Sequence, residues 1–413
     1  METIFKKEIR PEEEIKKYIR VGVDYYKIIE TCMGNGKVCK DLKSWSYTTI
    51  VQDGLKEHIP NIPKYDTFVN VPEHIKYRKE INGGYNKYHK LSHHPQKGDF
   101  PNIKNFLEHI FGEQIELGYD YLQLLYLQPK QKLPVLLLVS KERNTGKTTF
   151  LQFLGEMFEN NVVFCSAETI RNNFNSYWAT RLIACCDEMT LKNKGDYEMI
   201  KNYTTQMDIK LELKGREAVT VPFYCKFVFC SNDEDSPVTI ETGEDRYWVR
   251  KVSVIQNLDP DYMNKLKVEI PAFLYHLKHR EISVAKSGRL YFSQEMIETE
   301  EARAIMRNGT KLKDDIILLL KDILEKTDIE RYCFCIGDVT DLLYDRLNIQ
   351  YNSTDIRKIL KSDWDLSPYK YPTRYKKILY DKSKERYEFC DSKGRCYRLK
   401  RKQIECFLQR NQS

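Results

Sequence analysis

An α/β fold built around a nucleotide-binding loop is predicted by three features of this sequence. Val135 to Val139 form an uninterrupted apolar run, as expected for a strand buried on both faces of a parallel sheet. Gly146-Lys147-Thr148 follows, and Thr149 to Phe158 continue with helical periodicity, which is the strand, loop and helix order of a P-loop. Two further apolar segments, within 181–188 and 226–233, end in polar residues, as strands do when their carboxyl ends line a ligand site.

Each element has a physical reason. Backbone N–H groups of the loop and the positive end of the following helix favour an anion, and Gly146 lets the chain approach phosphates without a Cβ clash. Asn144, Thr145, Gly146, Lys147, Thr148 and Thr149 are therefore the candidate nucleotide contacts. Lys147 would reach the β- and γ-phosphate oxygens, and the Thr148 hydroxyl would ligate Mg²⁺. The loop departs from G-x-x-x-x-G-K-[ST] at its first position, which is Lys141, so altered loop geometry is expected there. In the second segment Asp187 and Glu188 fit a Walker B pair, Asp187 holding Mg²⁺ and Glu188 polarising the attacking water. Asn232 ends the third, where it would hydrogen-bond the γ-phosphate or that water. Between these segments Ile209, Leu211 and Leu213 alternate with charged residues, and Val219 and Val221 resume the period of two after 214–217. The pattern predicts a β-hairpin with a basic tip.

In this order the loop ending Gly146-Lys147-Thr148, Cys186-Asp187-Glu188, the Lys214-Gly215-Arg216 hairpin and Cys230-Ser231-Asn232 resemble motifs A, B, B-prime and C of superfamily 3 helicases. The chain is most similar to the primase-helicase type of phages, plasmids and mobile elements, over roughly residues 60–255. The resemblance implies a modified AAA+ P-loop ATPase core that uses ATP and Mg²⁺. It also implies a homo-oligomeric ring, a hexamer, that moves along single-stranded DNA and opens forked DNA, alongside a separate primase or replication initiator. Lys214 and Arg216 would face DNA in the central channel. Arg246 would reach the ATP of the neighbouring subunit, so that Lys147, Asp187, Glu188, Asn232 and Arg246 are the catalytic candidates.

At 413 residues the chain exceeds one ordinary domain. Residues 1–100 read as a mixed accessory region, 101–130 as a helical collar, 131–256 as the ATPase core and 257–310 as a helical connector. Residues 311–413 read as a basic, winged-helix-like domain. In the first region 11–20 looks helical, 25–29 and 45–51 strand-like or briefly helical, and no paired-carboxylate site for nucleotidyl transfer stands out. In the last, 311–326, 336–346 and 353–361 read as three helices, followed by a hairpin turning at 391–394. Basic residues outnumber acidic ones roughly three to one over 370–402, with tyrosines interleaved, a composition suited to nucleic acid. Arg357, Lys358 and Lys361 on the third helix are its candidate DNA contacts.

The formal net charge of +7 is too mild for a histone-like protein, so the location of charge carries more than its total. No cleavable signal or membrane-length apolar run appears, which places the expectation in a cytoplasm, that of a bacterial host. Twelve scattered cysteines without paired C-x-x-C knuckles fit free thiols in a reducing compartment. The expected function is an ATP-dependent DNA helicase or translocase in phage or mobile-element replication. The alternatives are an ATPase motor of a defence or packaging system, or an ATP-binding DNA-origin or scaffold protein with dispensable hydrolysis.

Overall fold

The computed structural model describes residues 10–32, 38–172, 174–189, 194–212, 217–234, 237–238 and 244–410. The chain divides into two compact units. One holds most residues up to Thr299, and the other holds Glu300 onward with 191–197 and 235–242.

The first unit begins with α1 (Pro11–Glu14), opened by a proline at its first turn, and a single 3₁₀ turn. The helix expected over 11–20 stops there, because Tyr18 and Ile19 are buried as part of an extended strand. That strand, β1 (Tyr18–Val21), pairs antiparallel with β2 (Asp24–Cys32), which pairs with β3 (Val38–Trp45). After α2 (Tyr47–Gln52), capped by the Ser46 hydroxyl at 2.9 Å from the Thr49 N–H, β4 (Lys64–Tyr65) joins β1 in parallel. Ile15, Tyr18, Ile50, Leu55 and Ile62 form a small separate core beneath this sheet. A second small sheet, ordered β5-β7-β6, is made from β5 (Phe68–Val69), β6 (Glu80–Ile81) and β7 (Gly84–Asn86). The Asn86 amide locks it, accepting from the Val71 and Tyr88 N–H groups and donating to the Val71 and Arg78 carbonyls.

The main layer follows. Helices α3 (Pro101–Phe111) and α4 (Ile115–Leu127) lead into β8 (Val135–Val139), α5 (Lys147–Phe158) and β9 (Val162–Phe164). Next come α6 (Ala167–Arg171), β10 (Ile183–Cys186), α7 (Lys194–Thr205) and the hairpin β11 (Asp208–Leu211) with β12 (Val219–Pro222). Strands β13 (Lys226–Ser231) and β14 (Tyr247–Lys251), then α8 (Tyr262–His279) and α9 (Gln294–Ile297), complete the unit. Five strands form one parallel sheet in the order β14-β8-β13-β10-β9.

The period of two divides this sheet's side chains between two layers. Leu136, Leu138, Val228, Cys230, Ile183 and Cys185 join the core formed with α3, α4, α5 and α8. In that core Phe111 stacks on Trp248 at 5.2 Å, and Phe106 meets Phe150 and Phe153. Phe227, on the opposite face, meets Trp178 at 5.7 Å and Tyr203 at 6.1 Å. Each fully buried phenylalanine contributes about 1.5–3 kcal/mol over leaving it in water, so both faces are anchored.

This topology has a functional consequence. From β8 the chain leaves for the far edge strand β9, whereas from β13 it leaves for the opposite edge strand β14. The neighbouring strands β8 and β13 therefore form the switch point, and the crevice beyond their carboxyl ends is where open α/β sheets bind ligands.

In the second unit α10 (Glu300–Lys326) begins eleven residues before the expected 311. It is followed by β15 (Arg331–Phe334), α11 (Ile336–Leu347), α12 (Ser353–Lys358) and a π-helical turn, Ile359–Asp363. The hairpin expected to turn at 391–394 is not formed. Instead β16 (Thr373–Asp381) pairs with β17 (Arg386–Gly394), so 391–394 are strand, while β18 (Tyr397–Lys400) pairs with β15 and leads into α13 (Arg401–Arg410). The reason lies in the core. Tyr332, Phe334, Tyr397 and Leu399 bury one face of the β15–β18 ribbon, and a hairpin at 391–394 would take β18 away from it. Among the described residues no helix is long and apolar enough to cross a membrane.

Candidate active site

The loop between β8 and α5 is held from outside. Ser140 extends β8 by donating its N–H to the Ser231 carbonyl at 3.1 Å, and its hydroxyl accepts from the Glu142 N–H at 3.2 Å. The Lys141 N–H donates to Glu234 Oε1 at 2.7 Å. Lys141 does not adopt a positive φ, so glycine is not required at this departure from the motif; Glu234 supplies a fixed acceptor instead. Asn144 takes φ 56°, and its carbonyl accepts from the Ile255 N–H at 2.9 Å. His109 on α3 donates from Nε2 to the Thr145 carbonyl at 2.9 Å. Gly146 has φ 86°, and a Cβ there would stand 3.1 Å from Ile255 Cδ1 and 3.3 Å from Phe106. Glycine is therefore required where it stands, both for backbone shape and for space.

Gly146 caps α5, which places Lys147, Thr148 and Thr149 in that helix's first turn. The buried Lys147 ammonium donates to the Ser140 carbonyl at 3.0 Å. Burial holds its pKa below the usual lysine value, although Asp187 and Glu234 pull the other way. The exposed Thr148 hydroxyl donates to Asp187 Oδ2 at 2.7 Å, joining the first turn of α5 to the end of β10. Asp187 Oδ1 accepts from the Glu188 N–H at 3.2 Å. Glu188 has φ 58°, which is uncommon for a non-glycine residue. This turn is tied across by the Met189 N–H on the Cys230 carbonyl at 2.8 Å.

Glu188, Asn232, Asp233 and Lys141 line an open cleft of about 550 Å³. Glu234 is half-buried, and that desolvation alone would raise its pKa. The Lys141 N–H and the Lys251 ammonium at 2.9 Å override this and hold the carboxyl below its ordinary value. The described residues therefore gather Lys147, Thr148, Asp187, Glu188 and Asn232 at the carboxyl ends of β8, β10 and β13. Hydroxyl and carboxylate oxygens at Thr148 and Asp187 are hard donors, which fit Mg²⁺. Ser140, Glu234 and His109 are additions that only the folded chain reveals, because each acts through a backbone group rather than within a motif. A second cavity, about 380 Å³ and lined by Pro72, Glu73 and residues 127–131, contains none of the loop residues.

Other candidates lie elsewhere. Arg246 precedes β14 and accepts from the Val135 N–H through its carbonyl at 2.7 Å, which puts it at the amino end of the sheet, opposite the loop. Its guanidinium pairs with the buried Glu244 at 2.6 Å. Lys214 and Arg216 lie outside the described residues, although β11 and β12 on either side pair as expected. Arg357 and Lys358 end α12 and Lys361 lies in the π turn; Arg357 and Lys361 are exposed.

A family of unknown function, DUF5906, matches residues 138–250, the stretch from the end of β8 into β14. No curated protein matches the chain. Among solved structures, the apo structure of the NrS-1 C-terminal region is similar at a TM-score of 0.56 and 14% identity, covering 88% of this chain and 93% of that one. An A-form apo structure of that region gives 0.53 at 16% identity, over 86% and 94%. Another A-form structure gives 0.55 at 15% identity, over 91% and 93%. The likeness is one of fold.

Proposed function

We propose that this chain is an Mg²⁺-dependent ATPase that works as a superfamily 3 DNA helicase or translocase in phage or mobile-element replication. The observation that carries this reading is the gathering of Lys147, the Thr148–Asp187 contact, Glu188 and Asn232 at the carboxyl ends of β8, β10 and β13, at the switch point of a parallel sheet. The sequence motifs that resemble motifs A, B and C fall on the three strands whose carboxyl ends meet there.

On binding ATP, Lys147 would exchange the neutral Ser140 carbonyl for anionic phosphate oxygens, so that both partners of the hydrogen bond carry charge. Thr148 and Asp187 would hold Mg²⁺, which neutralises charge on the phosphates. Glu188, exposed at the cleft, would orient the attacking water and accept its proton, while Asn232 on the adjoining strand would hydrogen-bond the γ-phosphate or that water. The fixed Lys141, Asn144 and Thr145 backbone would keep the loop from reorganising, which is the electrostatic advantage of a pre-formed site.

In a ring, Arg246 of one subunit would serve its neighbour's ATP, and for that it must release Glu244. Lys214 and Arg216 would grip DNA in the channel. The order of helix, strand, two helices and hairpin in the second unit supports a winged-helix-like DNA-binding domain. Arg357, Lys358 and Lys361 are candidates there.

Strand displacement from a forked DNA, measured with sedimentation of the same sample, tests the reading. ATP-dependent displacement by a hexamer is the expected result. DNA-stimulated hydrolysis without displacement would instead indicate a defence or packaging motor. Full displacement by Glu188→Gln would contradict hydrolysis as the source of work.

A further inference from the structure

The long β16–β17 hairpin of the second unit carries two kinds of basic surface. Towards its turn every cation that projects has a carboxylate: Lys382 pairs with Asp345 at 3.2 Å, Lys384 with Asp381 at 3.0 Å, and Arg386 with Glu388 at 2.9 Å. At its root the pattern reverses. Arg374 and Lys393 stand directly opposite each other in the ladder, both exposed, and among the described residues neither has a carboxylate partner. Like charges in direct cross-strand register destabilise a sheet unless something else neutralises them. The strip continues past the ladder, where the Tyr369 N–H meets the Cys396 carbonyl at 3.0 Å, bringing Lys370 and Arg398 alongside. Arg398 lies over the Tyr369 ring at 4.9 Å, and Lys370 lies 5.7 Å from the centre of the Tyr371 ring.

The tyrosines are divided the same way. Tyr375 donates to Asp338 at 2.5 Å, Tyr380 accepts from Arg346 at 2.7 Å, and Tyr387 donates to Asp322 at 2.5 Å, so these three serve the unit's own packing. Tyr371 is 70% exposed. Uncompensated cations beside a presented aromatic ring are the two requirements for single-stranded nucleic acid: phosphates meet the charges and an unstacked base meets the ring.

From this we infer that the root of the hairpin, at Arg374, Lys393, Lys370 and Tyr371, is a binding surface for single-stranded DNA, and that the hairpin's turn is not. The inference deepens the DNA-binding part of the proposed function. It is independent of the ATPase, so a failure here leaves nucleotide hydrolysis, measured in parallel, untouched.

The test is fluorescence anisotropy of the full chain with a labelled thymidine 30-mer, without nucleotide, over a salt series. Arg374→Ala with Lys393→Ala should weaken binding at least tenfold. The same variant should flatten the slope of log affinity against log salt by about 1.4, at ~0.7 for each single-strand phosphate that the protein no longer neutralises. Tyr371→Ala should weaken binding about tenfold with the slope unchanged, as removal of stacking requires. Lys384→Ala with Arg386→Ala should change neither. Thermal unfolding of the root variant should be no lower than wild type, because a like-charge pair is relieved. Unchanged binding by the root variant, a greater decrease from the turn variant, or duplex binding tighter than single-strand binding with the same root dependence would overturn the assignment.

Discussion

The two ends of the central sheet use lysine in opposite ways. At the carboxyl end Lys147 donates to the Ser140 carbonyl beside the exposed carboxylates Asp187 and Glu188. At the amino end Lys132 donates to the Phe223 carbonyl at 2.6 Å with its ammonium 4.4 Å from that residue's ring centre, and Lys226 donates to the Pro129 carbonyl. Neither has an ion pair among the described residues, and both are buried. All three donate to backbone carbonyls, and Lys147 does so within a turn of the Thr148–Asp187 contact. A lysine's bond to a carbonyl therefore does not mark chemistry; the surroundings into which it can be released do. Burial pushes Lys132 down to about 8 and lowers Lys226 further from its ordinary value, with Lys132 adding to that shift.

The largest effect that sharpens this contrast is at the carboxyl end. Glu188→Gln should reduce steady-state ATP hydrolysis by about 10²–10⁴-fold, the range for losing a positioned base, while nucleotide binding survives. Retained turnover would remove Glu188 from the chemistry. At the amino end the readout is stability against pH. The folded pKa of Lys132, about 8, lies below its unfolded value near 10.4, so unfolding takes up a proton between them and stability rises with pH across that window. Relative to Lys132→Met, the wild type should gain up to about 3 kcal/mol in denaturant unfolding from pH 8 to 10.4. Parallel curves would show that the ammonium is not desolvated.

Two histidines extend the comparison. His109 serves the loop, whereas His74 is enclosed between the Tyr126 carbonyl at 2.8 Å and the Tyr88 hydroxyl at 2.6 Å, and burial lowers it to about 4. Its unfolded value is near 6.5, so unfolding takes up a proton as pH falls through that window, and stability is lost on the acid side. Relative to His74→Gln, the wild type should lose about 2 kcal/mol between pH 6.5 and 5, read by urea unfolding. The smallest expected effect is Gly146→Ala, which forces a Cβ into a left-handed position against Ile255. It should cost about 1–2 kcal/mol of stability, measured by thermal unfolding.

The carboxyl end was legible in the sequence because its residues are adjacent to strand ends and follow motif spacing: Gly146 to Thr148, Asp187 and Glu188, and Asn232. The apolar runs that predict β8, β10 and β13 are buried on both faces, so period and burial agree. The supports of the loop were not legible, since Glu234 and His109 bond to backbone N–H and carbonyl groups that no side-chain pattern announces. Lys132 and Lys226 were equally hidden, because a buried lysine without a carboxylate leaves no mark in sequence. The 11–20 helix failed because tertiary pairing of Tyr18 with β2 overrode local periodicity. The hairpin at 391–394 failed because Tyr397 and Leu399 were needed beside β15.

In the proposed function, ATP hydrolysis at the carboxyl end of the sheet depends on Lys147. Phosphate release from Mg²⁺-ATP by the full chain, with and without single-stranded DNA, compared among wild type, Lys147→Ala and Lys226→Met at equal folded fraction, tests it most directly. Turnover is expected from wild type and Lys226→Met, with a fall to background for Lys147→Ala. Turnover by Lys147→Ala at the wild-type rate would contradict it.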